Sequence, residues 1–223
     1  VALAAPLVVA GQAQSAPRQY SLVVGTLGGT MGRLGAGLAD VVNRKAKGFK
    51  FSVVPGGGRA NPARIGGGGA DIGYSFSNFV ANATAGKVPF KKKYPNLRGI
   101  AQFWQSCYHQ YAGKNMMEAG IRSWKDIVGS KKPLKLGPAK KGTSTEYISR
   151  LLVEFYGSSY KGLQKRGFKL SFAGVNGMSR QIRSSQIDFY FHNSGDPNGA
   201  GIQAALGRNL RFLVLEDDAK KML

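Results

Sequence analysis

The sequence predicts an α/β protein of two lobes with a ligand cleft between them. Short apolar runs alternate with helical patterns along the 223 residues, the arrangement that builds parallel sheets covered by helices. The alternation restarts near residue 110, so the chain divides in two. Most apolar runs end in glycine, serine, threonine or asparagine loops, and open α/β sheets take ligands at the carboxyl ends of their strands.

The first strand is SLVVGT, Ser21 to Thr26. The glycine-threonine loop after it leads into a helix with Leu34, Leu38, Val41 and Val42 on one face. A second strand begins at Phe49 and ends in the turn Gly56 to Gly58, after which Asn61-Pro62 suits a helix start. ADIGYSFSN (Ala70 to Asn78) is the third strand and LRGIAQFW (Leu97 to Trp104) the fourth. Ser123 and Asp126 then approximate a capping box, and Thr143 with Glu146 forms another. Between them, Leu134 and Leu136 make a short strand. The helix after Thr143 turns Ile148, Leu151, Leu152 and Phe155 inward. FKLSFAG, IDFYFHNSGDPNG and LRFLVLE complete the strands. Asp71 and Asp188 each precede an apolar strand, in GADIGYSF and SQIDFYFH. That parallel predicts a repeated structural turn.

Two helix starts, one per lobe, are available to face a common cleft. One follows Gly28-Gly29-Thr30 and the other is Thr143-Ser144-Thr145. Each offers free N–H groups, hydroxyls and the positive end of a helix dipole. Together they make a pincer for an anion. Thr143 is fully explained as a cap, so Thr30, Ser77 and Thr145 stand ahead of it as ligand groups.

Composition narrows the function. Lys and Arg outnumber Asp and Glu by 32 to 11, a net charge of +21. Such a balance suits nucleic acid, an anionic membrane surface or a small anion. The basic runs are dispersed and lack the interleaved aromatic residues on which bases stack, so surface lysines explain most of them. A basic nucleic-acid-binding module is the alternative reading, and no nucleic-acid partner is expected. The single cysteine, Cys107, excludes an internal disulfide. The apolar stretch Val1 to Ala10 is too short to span a bilayer. With Gly11-Gln12-Ala13 as a small-x-small cleavage site, it reads as the remnant of a secretory signal. The mature protein is expected outside the cytoplasm, in the periplasm.

No catalytic set assembles. There is no Walker loop, no G-x-G-x-x-G after SLVV, and no G-x-S-x-G elbow. Two histidines, His109 and His192, and one cysteine do not make a metal set. Asp196 and His192 are the candidates an enzyme of this architecture would have to use. The expectation is a non-enzyme without cofactor or metal.

The motifs GTLGGTMGRLGAGLADVVN, VVPGGGRAN, GGADIGYSFSN, YPNLRGIA, IRSWKDIVG, LGPAKKGTSTE and SQIDFYF occur in that order. From about Tyr20 to Glu216 the chain resembles the TAXI family, the solute-binding receptors of TRAP transporters, with the periplasmic binding protein fold. The resemblance implies a monomeric receptor that closes on a small carboxylate, such as glutamate, a dicarboxylate or a 2-oxo acid. It implies delivery of that ligand to a membrane-embedded TRAP permease, with a hinge near Gln102 to Ala112. The implied ligand groups are Thr26, Gly28, Gly29, Thr30, Gly57, Ser75, Ser77, Asn78, Thr143, Ser144, Thr145, Asn193 and Asp196. Residues 1–19 would be signal remnant and linker, 20–108 the first lobe and 109–215 the second. Residues 216–223 would begin a return segment that members of the family continue. Met31-Gly32 stand where the family has an aromatic residue, which removes a ring that packs on the ligand. The run Gly66 to Gly69 predicts a frayed helix end, since each glycine costs about 1 kcal/mol against alanine.

Overall fold

The computed structural model describes residues 16–223. The apolar run and cleavage site of the signal reading lie outside the described residues. The first half carries β1 (Arg18–Val23), α1 (Thr30–Lys45), β2 (Phe49–Val54), α2 (Asn61–Gly66), β3 (Ile72–Gly73) and α3 (Ser77–Ala85). The second half opens with β4 (Cys107–Gly113), α4 (Lys114–Glu118), α5 (Trp124–Gly129), β5 (Lys135–Gly137), α6 (Ser144–Phe155) and α7 (Tyr160–Lys165). It continues with β6 (Lys169–Leu170), α8 (Val175–Arg183), β7 (Phe189–Ser194), α9 (Gly199–Ala205), β8 (Leu210–Phe212) and α10 (Asp217–Met222).

Two sheets result, ordered β2-β1-β3 and β6-β5-β7-β4-β8. The first is parallel throughout, as expected. The second departs from expectation, because β4 runs antiparallel to both β7 and β8. Its Cys107 pairs with Ser194, the last residue of β7. The chain therefore enters the second sheet at the carboxyl end of β7 and runs back along it.

Two sequence expectations fail in that same region. Leu97 to Trp104 is not a strand, and residues 97–106 carry no regular structure. Its apolar residues serve other ends: Ile100 stays exposed, while Phe103 and Trp104 meet Tyr74 edge-on, at 5.3 and 5.5 Å between centroids. Of the segment expected as a hinge, Gln102 to Ala112, only residues 102–106 are irregular; the rest belongs to β4.

The strand period of two sorts the core of the second sheet. Phe189 and Phe191 of β7 face Trp124, Ile148, Leu152 and Leu163 on one side. Tyr190 faces Met178, Ile182 and Ala204 on the other. In the first sheet, Leu22, Val24 and Tyr74 pack with Ala39 of α1. The buried face of α1 is Gly32, Gly35 and Ala39, whereas Leu34 and Val41 are exposed. Leu38 packs on this core as expected, but the rest of the contact is made by the small residues: a Cβ on Gly35 would lie 2.3 Å from Val24 Cγ1. The helix sits so close to β1 that only glycine fits beneath it.

Phe155, expected on the inner face of α6, is exposed, but other local expectations are met. Ser123 and Thr143 cap α5 and α6, accepting from the N–H groups of Asp126 and Glu146 at 3.2 Å. Asp71 accepts from Ser21 N–H at 2.8 Å, and Asp188 accepts from Lys135 N–H at 2.9 Å. Each carboxylate before a strand thus ties down the neighbouring strand. The Gly66 to Gly69 run ends α2 in a closed turn rather than a frayed one, with Gly69 N–H donating to Arg64 O at 2.8 Å.

Candidate functional site

A cleft opens where the carboxyl ends of β1, β5 and β7 meet. It has about 520 Å³ of empty space, counted to its solvent mouth. Its walls come from both sheets and from the segment that joins them.

From the first sheet come Gly25, Thr26, Gly29, Thr30 and Met31, the loop and first turn of α1. Gly29 is the N-cap of α1 and no side chain caps the helix. Its first-turn N–H groups are therefore left without the usual side-chain acceptor. Gly57 and Gly58 form the next wall. Buried Asn61 holds them there. Its Oδ1 accepts Gly57 N–H at 3.0 Å, while its Nδ2 donates to Val24 O and Tyr74 O at 2.8 and 2.7 Å. One amide thereby ties the ends of three strands together beside the cleft.

From the second sheet come Ala139, Lys140, Thr143, Ser144 and Thr145 at the start of α6, and His192, Asn193 and Ser194 at the end of β7. Ala173 and Val175 flank Gly174, the N-cap of α8, which also lacks a side-chain cap. Thr143 spends its hydroxyl on Glu146 N–H, leaving the N–H groups of Ser144 and Thr145 ahead of it. Thr145 Oγ1 accepts Asn193 N–H at 3.2 Å, which fixes β7 against α6. Asn193 Oδ1 is buried without a hydrogen-bond partner.

The two halves meet across the cleft. Thr30 Oγ1 lies 2.8 Å from Ser194 Oγ. A Cβ on Gly57 would lie 2.6 Å from Gly142 O, and one on Gly28 would strike the Asn176 amide. Glycine is needed at these points because backbone from one half approaches the other.

Eight of the thirteen expected ligand residues line the cleft: Thr26, Gly29, Thr30, Gly57, Thr143, Ser144, Thr145 and Asn193. Five lie off its wall. Gly28 holds a turn at φ +86° beside Asn176. Ser75 donates to Gly58 O at 2.7 Å, supporting the wall from behind. Ser77, Asn78 and Asp196 are exposed. Residues that sequence reasoning did not place in the site are Trp104, Ser106, Lys140, Ala139 and Val175; His192, named only for an enzyme reading, also lines it, as does Phe76 from the expected loop Ser75 to Asn78. Phe76 and Trp104 supply rings where Met31 does not. The signal for α8 was present in Gly174 after an apolar run.

The electrostatics have one sign. The residues lining the cleft include one cation, Lys140, and no carboxylate. The starts of α1 and α6, helices of 16 and 12 residues, add their positive ends. Among the described residues no cluster of His, Cys, Asp or Glu could hold a metal. None of the described helices is long and apolar enough to cross a membrane.

Solved structures share this architecture. A choline-binding protein of an ABC transporter matches with a TM-score of 0.58 and 15% identity, over 90% of this chain and 66% of its own. PhnD1 from Prochlorococcus marinus, in complex with methylphosphonate, matches with a TM-score of 0.57 and 13% identity, over 89% and 72%. The alkanesulfonate-binding protein SsuA from Xanthomonas axonopodis pv. citri gives 0.50 and 13%, over 90% and 61%. The chain therefore spans less than two thirds of the length of the sulfonate-binding and choline-binding proteins. No curated protein sequence matches it. At these identities the likeness speaks for the fold, that of two-lobed periplasmic binding proteins. The sequence itself matches the model of one family over residues 22–223, and on that match the chain belongs to the NMT1-like family.

Proposed function

We propose that the protein is an extracytoplasmic solute-binding receptor of a transporter, and that its ligand is a small carboxylate held in the cleft. The reading rests on one observation. Two helix starts from opposite halves of the chain, that of α1 without a side-chain cap and that of α6 with the Ser144 and Thr145 N–H groups ahead of its Thr143 cap, converge on a wall with one lysine and no carboxylate. That arrangement attracts an anion with dipoles and N–H groups that need no rearrangement. Phe76, Trp104, Met31 and Val175 then cover the ligand's carbon skeleton. A cation such as choline would need a fuller aromatic cage or a negative charge. Ligand binding draws the halves together, and the closed form is what a membrane permease recognises. The motif resemblance supports a permease of the TRAP class and a receptor of its TAXI type.

Thermal shift against amino acids, dicarboxylates, 2-oxo acids, phosphonates and sulfonates tests the reading. A ligand at a hundredfold its Kd adds about 2.7 kcal/mol, roughly 5–11 °C for a chain of this size. A response confined to carboxylates supports the proposal. A response confined to phosphonates or sulfonates replaces the ligand class and keeps the receptor. Binding of nucleic acid with a steep salt slope, and of no small anion, refutes it.

A further inference from the structure

We propose that His192 is a specificity-determining donor of the cleft, locked by Asn198 as the Nε2–H tautomer so that it recognises only a hydrogen-bond acceptor. This deepens the receptor reading and rests on it.

The lock follows from the hydrogen bonds. Asn198 is the N-cap of α9, and its Oδ1 accepts Gly201 N–H at 3.3 Å. The amide oxygen is thereby committed to the helix. The amide nitrogen, a donor only, is the end that faces His192, with Nδ2 3.1 Å from Nδ1. Nδ1 must accept, so the ring proton sits on Nε2. His192 is 5% exposed and forms part of the cleft wall. With Nδ1 occupied, the Nε2–H is the polar group it has left to offer.

Its surroundings keep it in that state. Tyr190 stacks on the ring at 5.5 Å, and His109 opposes it on β4. Tyr111, stacked on His109 and Tyr190, closes the same face. Arg33 approaches from α1. Burial, then His109, with Arg33 adding to them, bring the imidazole pKa down to about 4. The ring is neutral across the physiological range. A ligand oxygen that accepts at every such pH finds a partner. A ligand ammonium facing Nε2–H would oppose donor to donor, which the site disfavours.

The chain has two histidines, so ¹⁵N spectra of the imidazoles show two ring systems, and His192→Gln identifies which is His192. The expected result is an Nε2–H tautomer that does not titrate between about pH 5.5 and 8. An Nδ1–H tautomer, or titration near the ordinary 6.5, overturns the proposal without touching the receptor reading. Glutamate, 2-oxoglutarate and methylphosphonate are then added as probes. A bound probe should shift Nε2, and His192→Asn should weaken its affinity about tenfold, the usual loss for a hydrogen bond to a charged group. His192→Gln, whose amide reaches toward the Nε2 position, should stay within about threefold. A probe that shifts the Thr30 and Ser144 amides yet ignores His192→Asn also overturns it. Binding by none of the probes overturns this inference, and binding by no small anion of the wider panel removes the receptor reading with it. Asn198→Asp keeps the cap but offers the ring an acceptor. It should turn the tautomer over and make probe binding weaker at pH 8 than at pH 6.

Discussion

Thr30 Oγ1 and Ser194 Oγ lie 2.8 Å apart, and the same Thr30 oxygen accepts Gly195 N–H at 3.3 Å. The first residue of α1 is thus joined to the end of β7, across two sheets that share no strand. Such a bond exists only while the two halves are together. Thr30→Val keeps the shape of the side chain and removes the bond. It should weaken ligand binding by about 2- to 10-fold, from a net hydrogen bond of about 0.5–1.5 kcal/mol. The loss should fall mainly on the dissociation rate. Ser194→Ala should cost a similar amount, and the double variant little more than either single one. Additive losses in isothermal titration would show that the two hydroxyls do not act as a pair.

Gly57 supplies a test of closure that leaves the fold alone. A Cβ there would lie 2.6 Å from Gly142 O and 3.0 Å from Gly142 C, in the opposite half of the chain. Backbone cannot retreat as a flexible side chain can. When the halves separate the contact disappears, so Gly57→Ala should leave the melting temperature of the ligand-free protein within about 2 °C, the effect of well under 1 kcal/mol. Ligand affinity should fall about tenfold or more, since forced overpacking costs about 1–3 kcal/mol. A large drop in melting temperature without ligand would place the strain in the fold instead.

These two seams show what the sequence could and could not say. That the two helix starts line one cleft was legible, because glycine and threonine before an amphipathic helix have few other uses. The caps at Ser123 and Thr143 were legible for the same local reason. The face of α1 was legible only at Leu38, which packs on the core, and not at Leu34 or Val41, which are exposed. Periodicity assigns bulky residues to the core, but here Gly32, Gly35 and Ala39 take that place because the helix lies against β1. Trp104 and Phe103 misled in the opposite sense. Their apolar run reads as a strand, yet the rings are used one by one against Tyr74. Strand β4 escaped notice because CYHQYAG mixes polar and aromatic residues. Its His109 and Gln110 are buried by their neighbours in the sheet, which no local pattern encodes.

Acid stability should fall in two stages. The His192 imidazole has its pKa lowered to about 4, chiefly by burial. The unfolded chain takes up that proton near 6.5 and the folded chain does not, so this contribution is complete above about pH 6.5. It is lost progressively as pH falls toward 4, and amounts to about 3 kcal/mol. His192→Gln should flatten the melting curve in that window. Asp71 acts lower. The Ser21 N–H and hydroxyl both donate to its Oδ2, at 2.8 and 2.7 Å, and hold the carboxyl below 3.8. Its contribution is present above that value and is lost as pH falls through the depressed pKa. Asp71→Asn should change only the most acidic end. Melting temperature read from pH 8 to 2.5 separates the two stages; a single transition untouched by His192→Gln would refute the first.

Tryptophan fluorescence gives a direct report on the cleft. The chain has two tryptophans. Trp124 is 2% exposed and packs edge-on against Phe189 and Phe191 in the core. Trp104 lines the cleft, with its Nε1–H donating to Ser106 Oγ at 3.2 Å. Ligand entry removes water from one ring and not the other. The emission change on binding should therefore survive Trp124→Phe and disappear in Trp104→Phe. The second variant also loses ring area against the ligand. Replacing the indole by the smaller phenyl should raise Kd by about 3- to 30-fold, the effect of roughly 25–80 Å² of apolar surface left uncovered. The fold should hold in Trp104→Phe, because a phenyl ring still meets Tyr74. It is most at risk in Trp124→Phe, where the large side chain of a sealed core is trimmed. If the signal instead followed Trp124, the ligand would be acting on the core of the second sheet, and the cleft would not be where it binds.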